Sequence, residues 1–157
     1  MEPAFILDPV TDRAEFKSAL LGELFDRWQS LAVDGLLPLT AVNLEELGPA
    51  RGYIWWFDVL DGGADFFARL FEWEAVKIYG FDIHGKTLVS QTHLPTLART
   101  LKLLRSSIQQ RRAIRFFSEM SVVPNRQFYY IEGLCFPVSR TGATVDALIG
   151  ASAVRYL

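Results

Sequence analysis

One cysteine, two histidines and a net charge of only −2 leave this 157-residue chain few routes to chemistry. Cys135 stands alone, which excludes a disulfide framework and a cysteine-based metal site. His84 and His93 lie nine positions apart, not at the i, i+4 spacing of a helical zinc site. The 16 basic residues are outnumbered by 18 acidic ones, so the electrostatic footprint of a nucleic-acid binder is missing. No apolar run approaches the ~20 residues that span a bilayer. Met1-Glu2-Pro3-Ala4-Phe5 lacks the basic start and apolar core of a secretory signal. These absences predict a cytoplasmic protein with no membrane and no nucleic-acid partner.

What the chain has is bulk. Half its residues are hydrophobic, with four Trp, five Tyr and twelve Phe, so one core, a pocket or a partner must absorb many rings. At this length one domain suffices, burying roughly 70% of its unfolded surface. Neither repeat nor linker divides it.

Asp12 and Glu15 have the spacing of a capping box, and Phe16, Leu20, Leu24 and Trp28 then recur every four residues. An amphipathic helix is predicted up to about Ala32, with residues 1–35 as an N-terminal unit and that stripe as a candidate dimer seam. Residues 36–157 form the main domain. Tyr53–Leu60 is aromatic and β-branched, Asp61-Gly62-Gly63 is a hairpin turn, and Ala64–Leu70 returns. A short helix ends at Gly80, and a longer one runs from Pro95 to about Arg111. Its apolar stripe is Leu97, Leu101, Leu104 and Ile108, with Arg99, Lys102 and Arg105 facing away. Three strands follow, over 113–123, 127–139 and 144–156, separated by turns at 124–126 and 140–142. In the last strand Val145, Ala147, Ile149, Ala151 and Ala153 share a face. This order predicts an α+β domain: a five-stranded antiparallel sheet with helices packed on one face.

The residues along that order resemble the PAS-like family typical of alphaproteobacteria, the fifth PAS class, formerly a domain of unknown function. The resemblance runs from Leu24-Phe25-Asp26-Arg27-Trp28 through Asp65-Phe66-Phe67-Ala68-Arg69-Leu70 and Tyr79-Gly80-Phe81-Asp82-Ile83-His84-Gly85-Lys86. It continues through Phe136-Pro137-Val138-Ser139 and Thr144–Ala151. Phe71-Glu72-Trp73 and His84 depart from the family pattern and add bulk beside the expected pocket. The resemblance implies a sensory or signalling domain.

No catalytic set emerges. Glu72 and Glu74 flank Trp73 and read as solvated, His93 reads as a cap for the helix at Pro95, and Cys135 as a buried thiol. His84 is a poor axial ligand for haem, and the Gly-x-Asn-Cys-Arg motif of flavin photochemistry is absent. No cofactor, no metal and no enzymatic activity are expected. A one-sided sheet rich in rings predicts an apolar cavity lined by Trp55, Phe57, Phe67, Tyr79, Phe117, Tyr129 and Ile149, with Arg69 as its polar anchor. Two functions follow: a sensor binding a small apolar or amphipathic ligand, or a ligand-free module that dimerises or contacts a regulatory protein. With the chain ending at Leu157 inside its last strand, either output is expected through contact, as a homodimer.

Overall fold

A computed structural model describes residues 5–119 and 128–156. The turn expected at 124–126, the strand end at 120–123 and the side chain of Tyr129 lie outside the described residues. Strands β1 (Ile6–Pro9), β2 (Leu37–Pro38), β3 (Ile54–Leu60), β4 (Asp65–Phe71), β5 (Ile114–Ser118), β6 (Phe128–Ser139) and β7 (Ala147–Tyr156) form one sheet. Its order is β1-β5-β6-β7-β3-β4, antiparallel throughout, and β2 adds a two-residue parallel pairing to the end of β6. The five expected strands are β3 to β7. β1 and β2 were not anticipated, because four residues ending in a proline and a Leu-Pro pair are too short to show a period of two.

The helices are α1 (Ala19–Leu31), α2 (Trp73–Tyr79) and α3 (Pro95–Gln110). Pro95 opens α3, and Gly80 ends α2 in the left-handed conformation at φ 71°. The Asp12/Glu15 capping box forms, but it opens only a 3-10 turn at Arg13–Glu15. α1 starts later, where the Ser18 hydroxyl accepts from the Leu21 N–H. His93 is exposed and does not cap α3, whose N-cap residue is Leu94.

The two helices of the 36–157 domain share one face as expected, but the N-terminal helix takes the opposite one, so helices lie on both faces of the sheet. α2 and α3 cover the face bearing Trp55, Phe57, Phe66, Ile114, Phe116, Ile131 and Leu148. α1 covers the opposite face, packing Leu21, Leu24, Phe25 and Trp28 against Ile54, Trp56, Leu134, Phe136 and Ile149. The physical reason stands in β3, where Ile54, Trp55, Trp56 and Phe57 are all buried, so successive side chains need cover on alternate sides.

The stripe offered as a dimer seam is therefore used inside the chain. Phe16, Leu24 and Trp28 are buried against their own sheet, and only Leu20 stays partly open. Arg99 is likewise not on a wet face. It is 8% exposed, donates to the Ser118 hydroxyl at 3.3 Å and lies 4.9 Å from the Phe5 ring. On the opposite rim of α3, Arg105 donates to the Gly63 and Ala64 carbonyls and ties that helix to the β3–β4 hairpin.

A fully buried carboxylate fastens α1 to the sheet. Glu132, on the α1 side of β6, accepts from the Lys17 and Ser18 backbone N–H groups at 3.0 and 2.8 Å. It also accepts two bonds from Arg115 of β5, at 2.8 and 2.5 Å. Removing one partner of a buried ion pair strands the other, at about 3–5 kcal/mol. Glu132→Ala is expected to lower unfolding free energy by about that much, read by urea denaturation. Amide exchange at Lys17 and Ser18 should accelerate before that of β6.

Candidate functional site

The space expected to hold a ligand lies between the sheet and α2/α3. Its floor is made of small residues from two paired strands: Gly133 and Cys135 of β6 beside Ser152 and Gly150 of β7. Small residues on a floor leave room above it, and here rings of the neighbouring strands take that room. Trp55 of β3 stands opposite Gly150 and its indole lies over it, so that a β-carbon at 150 would meet the ring. Phe116 of β5 stands opposite Gly133 and covers it in the same way. Both rings fold sideways onto a glycine of the adjacent strand.

Hydrogen bonds hold this filling in place. The Tyr79 hydroxyl of α2 and the Ser152 hydroxyl lie 2.7 Å apart, and the Trp55 indole N–H donates to Ser152 at 3.4 Å. Burial pushes the Tyr79 phenol up to about 12, against a smaller lowering by the Ser152 bond. Burial also raises the Cys135 thiol far above its ordinary range, which leaves it inert. The Phe71 ring packs against Tyr79 at 5.6 Å and the Phe57 ring against Trp55 at 5.7 Å.

Of the eight expected lining residues, the seven with described side chains do not come together. Trp55, Phe57 and Tyr79 belong to this inner face and fill it. Ile149 points to the α1 side. Phe67 and Arg69 also leave the inner face, because β4 buries Phe66 and Ala68 there instead. Arg69 forms an ion pair with Asp58 at 2.6 Å. Phe117 faces α1's entry, where Lys17 and Arg115 lie 5.0 and 4.9 Å from its ring. Arg69 is thus no anchor for an inner ligand. Ser152, Gly133 and Gly150, which sequence reasoning missed, shape the inner face. Their signal was small residues at inward positions of two long strands.

Two surface features remain. A groove of about 560 Å³ runs between α1 (Leu20, Glu23, Arg27) and the segment Leu44–Tyr53 (Leu47, Pro49, Ala50). Beyond the end of that wall Trp73, 60% exposed, stands over Gly52 with Lys77 4.9 Å from its ring. Its flanking acids are paired rather than free, Glu72 with Arg51 and Glu74 with Lys77, both at 3.7 Å.

Comparison with solved structures settles the architecture. The chain superposes on a structure described as an RNA-binding light-oxygen-voltage receptor with a TM-score of 0.50 at 16% identity. The match covers 98% of this chain. The fold is PAS-like. At that identity the likeness is one of fold alone, and the chain spans 39% of the receptor's length. No family model matches the sequence, and no curated protein matches it. No helix among the described residues is long and apolar enough to cross a membrane.

Two measurements probe the inner face. An unfolded tyrosine ionises near 10, so Tyr79's contribution is complete below pH 10 and is lost as pH rises through about 12. Two units correspond to roughly 3 kcal/mol. Stability of the wild type should fall over that window, and Tyr79→Phe should flatten the fall, as read by denaturation at stepped pH. Gly133→Ala should destabilise by about 3 kcal/mol, since the new methyl group meets the Phe116 ring. Combined with Phe116→Leu it should cost less than the sum of the two single changes, as read by a double-mutant cycle.

Proposed function

We propose that this chain is a PAS-like signalling module, non-enzymatic and cytoplasmic, that works through protein contacts rather than through a ligand held in its interior. The observation that carries this reading is the filled inner face: Trp55 over Gly150, Phe116 over Gly133, and Tyr79 and Trp55 both bonded to Ser152. Each polar group of that trio is satisfied by another, so nothing there calls for a guest. The likeness to a receptor domain supports signalling. The motifs around Phe66–Leu70 and Thr144–Ala151 support membership of the alphaproteobacterial PAS-like class.

The contact surface on this reading borders the segment Leu44–Tyr53. The groove beside Leu20 opens on one side and the exposed Trp73 ring stands at its end. Tryptophan is enriched among residues that dominate interface energetics. A second copy of the chain or a regulatory protein would bind there, and the α1 stripe would stay in the core.

Native mass spectrometry of the freshly purified protein should return the mass of the bare chain. Trp55→Ala should open a cavity on the order of 150 Å³, a size that remains dry and takes up benzene-like guests. Indole should then raise the melting temperature of Trp55→Ala and leave the wild type unchanged. A retained small molecule, or stabilisation of the wild type by indole, would return the interior to a ligand.

A further inference from the structure

A second concavity lies on the other face of the sheet, at the end of β3, β7 and β6 that carries Asp58, Ala147 and Val138. Asp58, Ala147 and Val138 stand side by side across these three strands. They form the floor of a cleft of about 250 Å³, with Trp56 and Leu39 as its other apolar walls. Ala147 is the short residue in that row, and its missing bulk makes the depression.

Two guanidinium groups border the cleft from opposite sides, Arg69 of β4 and Arg140 beyond β6. The β3–β4 register slips between Trp56 and Phe57: Trp56 faces Leu70 while Phe57 faces Ala68, so Arg69 is the extra residue of a bulge. A bulge re-aims the side chain it carries. Asp58 then fixes that aim, accepting from Arg69 through one oxygen and from the Trp56 indole N–H, at 2.9 Å, through the other.

Both aspartates of the cleft are already engaged, whereas one guanidinium is not. Asp58 is occupied on both oxygens. So is Asp146, which accepts the Arg140 backbone N–H at 2.7 Å and the Thr144 hydroxyl at 3.1 Å. The Arg140 guanidinium makes no hydrogen bond or ion pair among the described residues. Arg69 donates its Nε–H to Asp58 and holds Nη2 2.6 Å from the same oxygen in an ion pair. Formal charges balance, and the charged group of the cleft without a partner among the described residues is the Arg140 guanidinium. A planar acceptor with two oxygens fits such a fork.

We propose that this outer cleft binds the carboxylate of a small organic acid, with Arg140 receiving the carboxylate and Arg69 assisting. The apolar body of the acid lies against Leu39 and the Trp56 edge. The volume is below the range of drug-sized pockets, roughly 300–1,000 Å³, and selects an acid of amino-acid size or smaller. The site lies on the face away from Trp55 and stands whether or not the interior is closed to ligands.

Phenylacetate is a suitable probe, followed through the Trp56 indole N–H signal in a nitrogen–proton correlation spectrum of the whole chain. Titration should shift that signal with saturation in the millimolar range or below, more weakly at high salt. Phenylacetamide, which keeps the shape and loses the charge, should bind at least about tenfold more weakly, as expected when a charge-assisted hydrogen bond is lost. Arg140→Gln should lose a similar factor with an unchanged melting temperature, because its side chain supports nothing in the fold, and Arg140→Lys should retain part of the affinity. A glutamate-containing peptide and inorganic phosphate complete the set. The proposal is overturned by a flat titration to about 20 mM, well above metabolite-range dissociation constants. It is equally overturned by equal binding of acid and amide, by wild-type affinity in Arg140→Gln, by phosphate binding as tightly as phenylacetate, or by binding of the peptide alone.

Discussion

A sheet that must be covered on both faces governs this molecule. β3 places four large apolar residues in succession, Ile54 to Phe57, and a strand cannot hide consecutive side chains on one side. The chain meets that demand with α1 over Ile54 and Trp56, and with α2 and α3 over Trp55 and Phe57. Two hydrophobic layers result, and the aromatic richness of the sequence is divided between them. The inner layer is levelled by glycine: Gly133 and Gly150 leave hollows that Phe116 and Trp55 fill from the next strand. Close packing of this kind leaves little that a guest could occupy without displacing a side chain.

The outer layer depends on one polar contact. α1 lies across β6 and β7 with an apolar underside, and apolar contact alone does not set the direction from which a helix enters. Glu132 does so. Its two oxygens receive the N–H groups of Lys17 and Ser18, immediately before the helix, while Arg115 neutralises the charge from the adjoining strand. A buried carboxylate is costly to desolvate and adds little net stability over an apolar substitute, so its contribution here is to fix position. Lys17 adds to that restraint by lying near the Phe117 and Tyr130 rings, at 5.0 and 5.5 Å.

Much of the architecture was legible in the sequence. Turn residues at Asp61–Gly63 and Gly142, the cap at Gly80 and the proline at 95 bounded their elements because each imposes a local backbone geometry. The spacing put Val145, Ala147, Ile149, Ala151 and Ala153 together; the last four share the α1 side, while Val145, ahead of β7, packs against the opposite cluster. The side of the sheet was not legible. Period-two reasoning groups residues along one strand but gives no common origin between strands, and the bulge between Trp56 and Phe57 shifts the count within the first hairpin. Phe67 and Arg69 were therefore placed with Trp55, although Phe66 and Ala68 are its true companions. Glu132 could have been noticed as one acid within Tyr-Tyr-Ile-Glu-Gly-Leu-Cys-Phe, since a charge inside an apolar strand requires a partner.

The same bulge joins the two faces mechanically. Trp55 and Trp56 are neighbours on one strand, the first bonded inward to Ser152 and the second outward to Asp58. β3 is also the strand that links β7 to β4, so it cannot slide or tilt without carrying both indoles. The packing over Gly150 and the bond to Asp58 are thus held by adjacent residues of one strand. The extra residue in β4 has no backbone register partner on β3, and its link to that strand is the side-chain pair with Asp58. In this fold the interior and the outer cleft are two sides of a single strand, and β3 contributes an indole to each.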